Sequence, residues 1–491
     1  MTMHRSDRSS CTATLLAAVA LAAVLAAPAV AQIATPDIGR ELQVAQQLLA
    51  TPQMKGAMAY VDGSDDETVQ EWLSICNAYG PNGDEQYRWR LLYKLFRIYG
   101  LENVHIDDAR NVIGVRKGVG GGPTVVLNAH HDNVALWPRE QPIEAFVADG
   151  RIWCPAAGDD LRGVVQLLSV LRAMNAANIE TKGDVWFVGL TGEETGSGGS
   201  EQFVRANYPL NLDWRKGDAV VQFHGGAGSG VTSGSNNYIH FTQLRVFTPL
   251  DFARWRTDAV DALGPIISRI NKELRDPRSL EIDERGSNSR VALTDDILYL
   301  NMSQVNGDAI LNGTADEAWI RFDLRSPNEE RLMDAHRRIQ KIAQEVTSSM
   351  GPGYSFTYEI NMRSGTPGIE GFDKVNNAPV KMALAAAKAL YGGNPTVDPT
   401  RGCGDCVRAY MGGMPMLSFR GDVTDYGEGG RFTREKPASL RESSKVRRRS
   451  SGHDVTESAE IRSVWAGVKH GLLFAVSYAG LAAPPSTPGK P

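Results

Sequence analysis

Thr124-Val-Val-Leu-Asn128-Ala-His130-His131-Asp132 reads as a strand buried on both faces that ends on three chemistry-bearing side chains. Its β-branched run shows no polar alternation, as expected of a strand covered by helices above and below. Residues two apart in an extended chain point the same way, so His130 and Asp132 face one side and His131 the other. Asp132 can then accept the second ring N–H of His130, which fixes the tautomer and raises the basicity of the ring. By itself the string fits equally well a ligating His131 or two buried structural histidines.

Three further strings decide between these readings. Gly158-Asp159-Asp160-Leu-Arg-Gly163 stands at the start of an apolar helix over 163–174, where the Asp159 carboxylate can bridge two cations; the plainer reading makes Asp160 a helix N-cap. Asp184 to Leu190 is another buried strand, followed by Gly192-Glu193-Glu194-Thr-Gly196. Adjacent acids in such a place repel unless a cation compensates them, or else they point into solvent from a loop. With metal present, Glu194 binds it and Glu193 reaches the attacking water. Asp218 to Phe223 is a third strand, ending at His224-Gly-Gly226, and His453 arrives late in a glycine turn. Either histidine in isolation would be read as structural. Together the residues form a ligand inventory for two Zn2+ ions (Co2+ or Mn2+ as alternatives) sharing a carboxylate, plus a spare glutamate as base.

A chain of 491 residues is long enough for two or more domains. Arg5 and Arg8 precede an apolar run from Cys11 to Val30 that closes on Ala29-Val-Ala31, the form of a cleavable secretory signal over 1–31. The competing reading is an uncleaved anchor. Cleavage before Gln32 would remove two basic residues and one acidic residue, moving the formal charge from −5 to −6. No basic field suited to nucleic acid remains. The expected location is the periplasm or the exterior. Of the cysteines left, Cys76, Cys154, Cys403 and Cys406 suggest no disulfide framework, and buried thiols are the expectation for the last two. The segment 431–451 is rich in Arg and Lys and reads as a solvated loop, with a substrate-gating flap or a processing site as alternatives.

Strands alternating with helices define the fold class as α/β, with a three-layer catalytic domain over 32–237 that resumes over 363–480. Between them, residues 238–362 read strand, helix, strand, strand, helix, strand, a βαββαβ ferredoxin-like insertion. Ser64-Asp-Asp-Glu67 has the form of a capping box, and residues 481–491 form a disordered tail.

Across about 64–480 the chain resembles the zinc exopeptidases that include glutamate carboxypeptidase, peptidase T, carnosine dipeptidase and aminoacylase (metallopeptidase family 20), on the motifs at 128–132, 158–163, 192–196 and 452–454. The resemblance implies that His130, Asp159 and His224 hold one metal while Asp159, Glu194 and His453 hold the other. It further implies Glu193 as base, Asp132 as the partner of His130, and a non-proline cis peptide between Asp159 and Asp160. The insertion would be a lid, often the element that pairs subunits into a homodimer. In it, Asn312-Gly-Thr-Ala315 looks like the family's Asn turn, and Phe322-Asp-Leu-Arg325 like the arginine that grips a substrate carboxylate as a fork. A strand-end salt bridge is the alternative for Arg325.

Four positions depart from the family pattern. His224 stands where peptidases more often carry Asp or Glu. Pro249-Leu-Asp-Phe252 replaces the turn bearing the lid histidine, and Gly402-Cys-Gly404-Asp405 replaces Gly-Ser-Thr-Asp. The basic segment displaces His453 from its usual glycine-rich turn. The expectation is an exported dinuclear zinc hydrolase of small peptides. An N-acyl-amino-acid amidohydrolase is the second reading, and a catalytically impaired binding protein of the same fold the third.

Overall fold

The computed structural model describes residues 36–134, 143–224, 230–234, 238–248, 258–277, 297–307, 314–326, 328–364, 369–398, 404–420 and 457–483. The expected signal segment, Asn312, Cys403, the basic segment and His453 lie outside the described residues. Among the described residues, no helix is long and apolar enough to cross a membrane.

Along the chain the strands are β1 (Glu102–Ile106), β2 (Val112–Arg116), β3 (Val125–His130), β4 (Phe146–Ala148), β5 (Arg151–Trp153), β6 (Val185–Leu190), β7 (Ala219–Gln222) and β8 (Gly230–Thr232). They continue with β9 (Tyr238–Phe247), β10 (Tyr299–Gly307), β11 (Glu317–Ser326), β12 (Ser355–Ser364), β13 (Thr396–Asp398), β14 (Met416–Arg420) and β15 (Ser458–Glu460). The main sheet runs β1-β2-β6-β3-β7-β14-β8-β13. Its centre is parallel: β3 pairs with β6 and β7, and β7 with β14. The carboxyl ends of β3, β6 and β7 therefore lie along one edge, where ligands collect in open α/β sheets. His130, the Glu193–Glu194 turn and His224 all follow from those ends.

Alternation along β3 builds the three layers. Val125 and Leu127 pack into the core containing the helices Leu161–Ala176 and Arg462–Ala479, whereas Val126 joins the opposite core with the helices Gly198–Asn207 and Gly404–Met411. All three side chains are buried, which accounts for the absence of polar residues from the run.

The insertion is a separate antiparallel sheet ordered β10-β11-β9-β12. The helices Ala259–Glu273 and Glu329–Met350 share its core through Ile266, Ile339, Leu244 and Phe322. This is the expected ferredoxin-like order, stabilised by an apolar cluster of its own.

Two expectations need correction. The Ser64 hydroxyl makes no capping bond to the helix Asp65–Asn77; it donates to the Val61 carbonyl and so closes the preceding helix. Glu67 turns away to pair with Arg172 and to accept from Tyr60. The cysteines are likewise not all thiols: Cys76 and Cys154, 78 residues apart, form a disulfide, and Cys406 is disulfide-bonded as well. Cys76 ends the helix Asp65–Asn77 and Cys154 follows β5, so only tertiary packing brings them together.

Candidate metal centre

His130 is fully buried at the end of β3, with its two ring nitrogens facing two carboxylates. Nδ1 lies 3.2 Å from Asp132 Oδ1 and Nε2 lies 3.2 Å from Asp159 Oδ1. From the end of β7, His224 Nε2 approaches the same Asp159 oxygen at 3.4 Å. One donor atom from each of His130, Asp159 and His224 lies within 4.8 Å of the others. The His130 side chain is sealed off while those of Asp159 and His224 are 25% and 27% exposed, so solvent reaches the trio from the Asp159 and His224 side.

Asp132 organises the acidic turn. Its Oδ1 accepts the Glu193 amide N–H at 3.1 Å, and its Oδ2 accepts the Glu194 amide at 3.1 Å and Asn82 Nδ2 at 2.9 Å. Burial opposes ionisation of Asp132, yet the neighbouring His130 ring and these donors hold its pKa down to about 2. Burial would likewise depress His130, but the carboxylates of Asp132 and Asp159 keep it well above its ordinary value. Asp132 is thus an anchor on both sides, orienting the His130 ring and pinning the turn that carries the two glutamates.

Glu193 lies at the meeting point of these charges. Burial raises its pKa, with Asp159 and Asp132 adding to the rise and His130 opposing it. Its Oε1 accepts the Gly404 amide N–H at 2.9 Å. A Cβ at position 404 would stand 2.5 Å from that oxygen, so the glycine found where the family usually carries threonine permits the contact. Asp405, the next residue, is fully buried, accepts from Gln222 Nε2 at 2.6 Å, and has its pKa pushed well up by burial and by Glu193.

The Asp159–Asp160 peptide is cis. Asp160 has the backbone position of an N-cap but makes no capping bond; its carboxylate is fully buried and burial raises its pKa. His131 packs beside Gly189, where a Cβ would lie 3.4 Å from its ring; it is fully buried and burial depresses its pKa to about 4. In the inserted domain, Arg325 lies against Asp323, with Nε 2.9 Å from Oδ1 and Nη2 2.8 Å from Oδ2. That edge of its guanidinium is taken, so the expected fork on a substrate carboxylate is left with the Nη1 end. The negative charge of Glu193 nevertheless contributes to the field at Arg325, so the inserted domain's arginine and the acidic turn lie within electrostatic reach of each other.

Two residues escape sequence reasoning. Arg88, fully buried, donates to the carbonyls of Ala78, Gly80 and His131 and to Asn133 Oδ1, bracing the turn behind Asp132. Glu457 reaches the loop that carries Asp159. Arg88 sits in a segment without a motif and Glu457 just beyond one, and a single Arg or Glu gives no sequence signal for such a contact.

The donor set fits divalent metal: imidazole nitrogens and a shared carboxylate converge at a cleft crowded with buried negative charge. Comparison with known proteins agrees. Residues 126–436, more than half of the chain, match the model of Peptidase family M20/M25/M40, and the chain belongs to this family of metallopeptidases and amidohydrolases. A protein of Pyrococcus furiosus described as a LysW-lysine/LysW-ornithine hydrolase is 30% identical over 171 residues, 35% of this chain and 45% of the relative. The match therefore spans under half of that relative's length. Human carnosine dipeptidase 1 has the same fold at TM-score 0.62 and 14% identity, covering 87% of this chain and 99% of that one. The dipeptidase Dug1p of Saccharomyces cerevisiae also aligns at TM-score 0.62, with 13% identity and coverage of 87% and 98%.

Proposed function

We propose that the protein is an exported dinuclear zinc hydrolase that cleaves the amide bond of small peptides, in the manner of a dipeptidase or aminopeptidase. The observation that carries this reading is the convergence of His130, Asp159 and His224 within 4.8 Å at the carboxyl edge of the sheet. His130, Asp159 and His224 would hold one ion, and Asp159, Glu194 and His453 the other. When bound, such a metal pair lowers the pKa of water and polarises the scissile carbonyl.

The protein's own groups supply the rest. Glu193, raised in pKa by burial and oriented by the Gly404 amide, takes the proton from the attacking water and passes it to the leaving amine. Asp132 holds the ring of His130 and the backbone of the acidic turn in one geometry. Arg325, steadied by Asp323, would meet the substrate from the inserted domain acting as a lid, with Asn312 as the second contact the family resemblance implies, which would restrict the site to short substrates. The N-terminal 1–31 segment and the Cys76–Cys154 disulfide both support an oxidising compartment outside the cytoplasm.

His224 favours one second reading, an N-acyl-amino-acid amidohydrolase, because some amidohydrolases of this family carry histidine at that place. Turnover of free and N-acylated dipeptides, measured on zinc-loaded and chelator-treated protein, tests both. Activity on free dipeptides that is lost with the chelator and restored by zinc supports the peptidase; activity confined to blocked substrates supports the amidohydrolase. A protein that takes up no zinc and turns over neither would end both.

A further inference from the structure

We propose that Glu457 is a positioning residue for the metal-bridging aspartate, holding the Asp159 loop by its backbone. The inference rests on the dinuclear reading above and adds a residue to it. The Glu457 side chain is almost wholly buried and its Oε1 accepts two consecutive amide N–H groups, from Gly158 at 2.7 Å and Asp159 at 2.8 Å. Its backbone carbonyl accepts the Cys154 amide at 3.1 Å. The residues immediately after it form β15, which pairs with β5 on the near side of the same loop.

One side chain, together with the main chain around it, therefore grips the run from Cys154 to Asp159 at both ends. The contacts fall on the two consecutive amides that lead into the Asp159 Cα, so they set where the Asp159 carboxylate emerges. A cis peptide follows at once, between Asp159 and Asp160, and its amide belongs to the next residue, outside this grip. Space is restricted as well: a Cβ at Gly158 would lie 3.2 Å from the Glu457 carboxylate oxygen, and the glycine lets the loop sit this close.

A position that acts by reach and acceptor geometry responds differently to two conservative changes. Glu457→Gln keeps an acceptor oxygen at the same distance from the backbone, while Glu457→Asp keeps the charge but withdraws the acceptor by one methylene. The experiment is zinc titration of the mature protein and both variants against a chromophoric chelator, with far-UV circular dichroism to confirm that each is folded. Removal of an outer-shell partner usually weakens metal binding by about 10–100-fold, and that loss is expected of Glu457→Asp, with Glu457→Gln within about threefold of wild type.

Wild-type affinity in Glu457→Asp would overturn the positioning role and leave the dinuclear reading standing. A stronger loss in Glu457→Gln than in Glu457→Asp would show that charge matters rather than reach, and would overturn it too. A wild-type protein that binds no zinc would overturn both proposals.

Discussion

The lid and the metal centre bury polar groups in opposite ways. In the lid, His240 and His336 are buried side by side, with Nδ1 of the first 2.7 Å from Nε2 of the second. The remaining nitrogen of His336 meets the Tyr358 hydroxyl at 2.6 Å. The stacked rings and the phenol serve as hydrogen-bond partners for one another, with no carboxylate among them. At the carboxyl edge of the main sheet, Asp132, Asp159, Glu193, Asp160 and Asp405 crowd around His130, and for several of them burial raises the pKa. Such an arrangement is costly unless a cation joins it. The inserted sheet buries aromatic and imidazole groups against one another, whereas the edge of the main sheet concentrates carboxylates that a cation would offset.

The sharpest way to separate the two regions is to change the base and leave the ligands. On the proposed mechanism, Glu193→Gln should leave the metal content of the protein unchanged and lower kcat by roughly 10²–10⁴-fold, the range associated with a positioned general base. Metal content and steady-state kinetics on the same preparation measure this. Turnover near the wild-type rate in a zinc-replete variant would remove Glu193 from the mechanism.

A smaller effect should follow from the cross-link beside the centre. Cys154→Ser opens a disulfide that joins positions 78 residues apart, and such losses typically cost about 2–4 kcal/mol. Urea unfolding of the wild type and the variant, both without free reductant, gives the difference. Zinc affinity should fall in the same variant because Cys154 opens the run that leads to Asp159, whereas amide protection across β9–β12 should not change. Equal loosening of both regions would mean that the cross-link acts on the whole molecule rather than on the centre.

The same contrast explains what the sequence revealed. The lid was legible as βαββαβ because its strands and helices carry clean periodicities and its core is made of its own residues. β3, β6 and β7 were legible as buried runs, and their polar ends identified His130, Glu193, Glu194 and His224 as one group. Contacts made by single residues from distant segments were not legible. Cys76 with Cys154, Arg88 with the His131 carbonyl, and Glu457 with the Asp159 amide depend on tertiary placement and leave no local pattern. Ser64 shows the converse failure. Its motif is a valid capping box, but a helix ending at the previous residue and the buried Arg172 offered better partners to Ser64 and Glu67.

The smallest expected effect lies in the lid, and its sign follows from the histidine pair. Burial depresses both His240 and His336 to about 4, with Arg363 adding to the depression of each. Glu329, which pairs with Arg363, pulls His240 weakly the other way, and Tyr358 faces His336 from β12. An unfolded histidine titrates near its ordinary value of about 6.5, so between that pH and about 4 the unfolded lid binds more protons than the folded one. The pair's contribution is therefore complete above about pH 6.5, declines as the pH falls, and is exhausted near pH 4. Hydrogen exchange of the β9 and β12 amides, corrected for intrinsic rates, should show protection weakening over that window. His336→Phe removes one titrating ring and should flatten the pH dependence while lowering protection at neutral pH, because Tyr358 and His240 lose their partner. Unchanged pH dependence in the variant would show that the lid's acid response originates elsewhere.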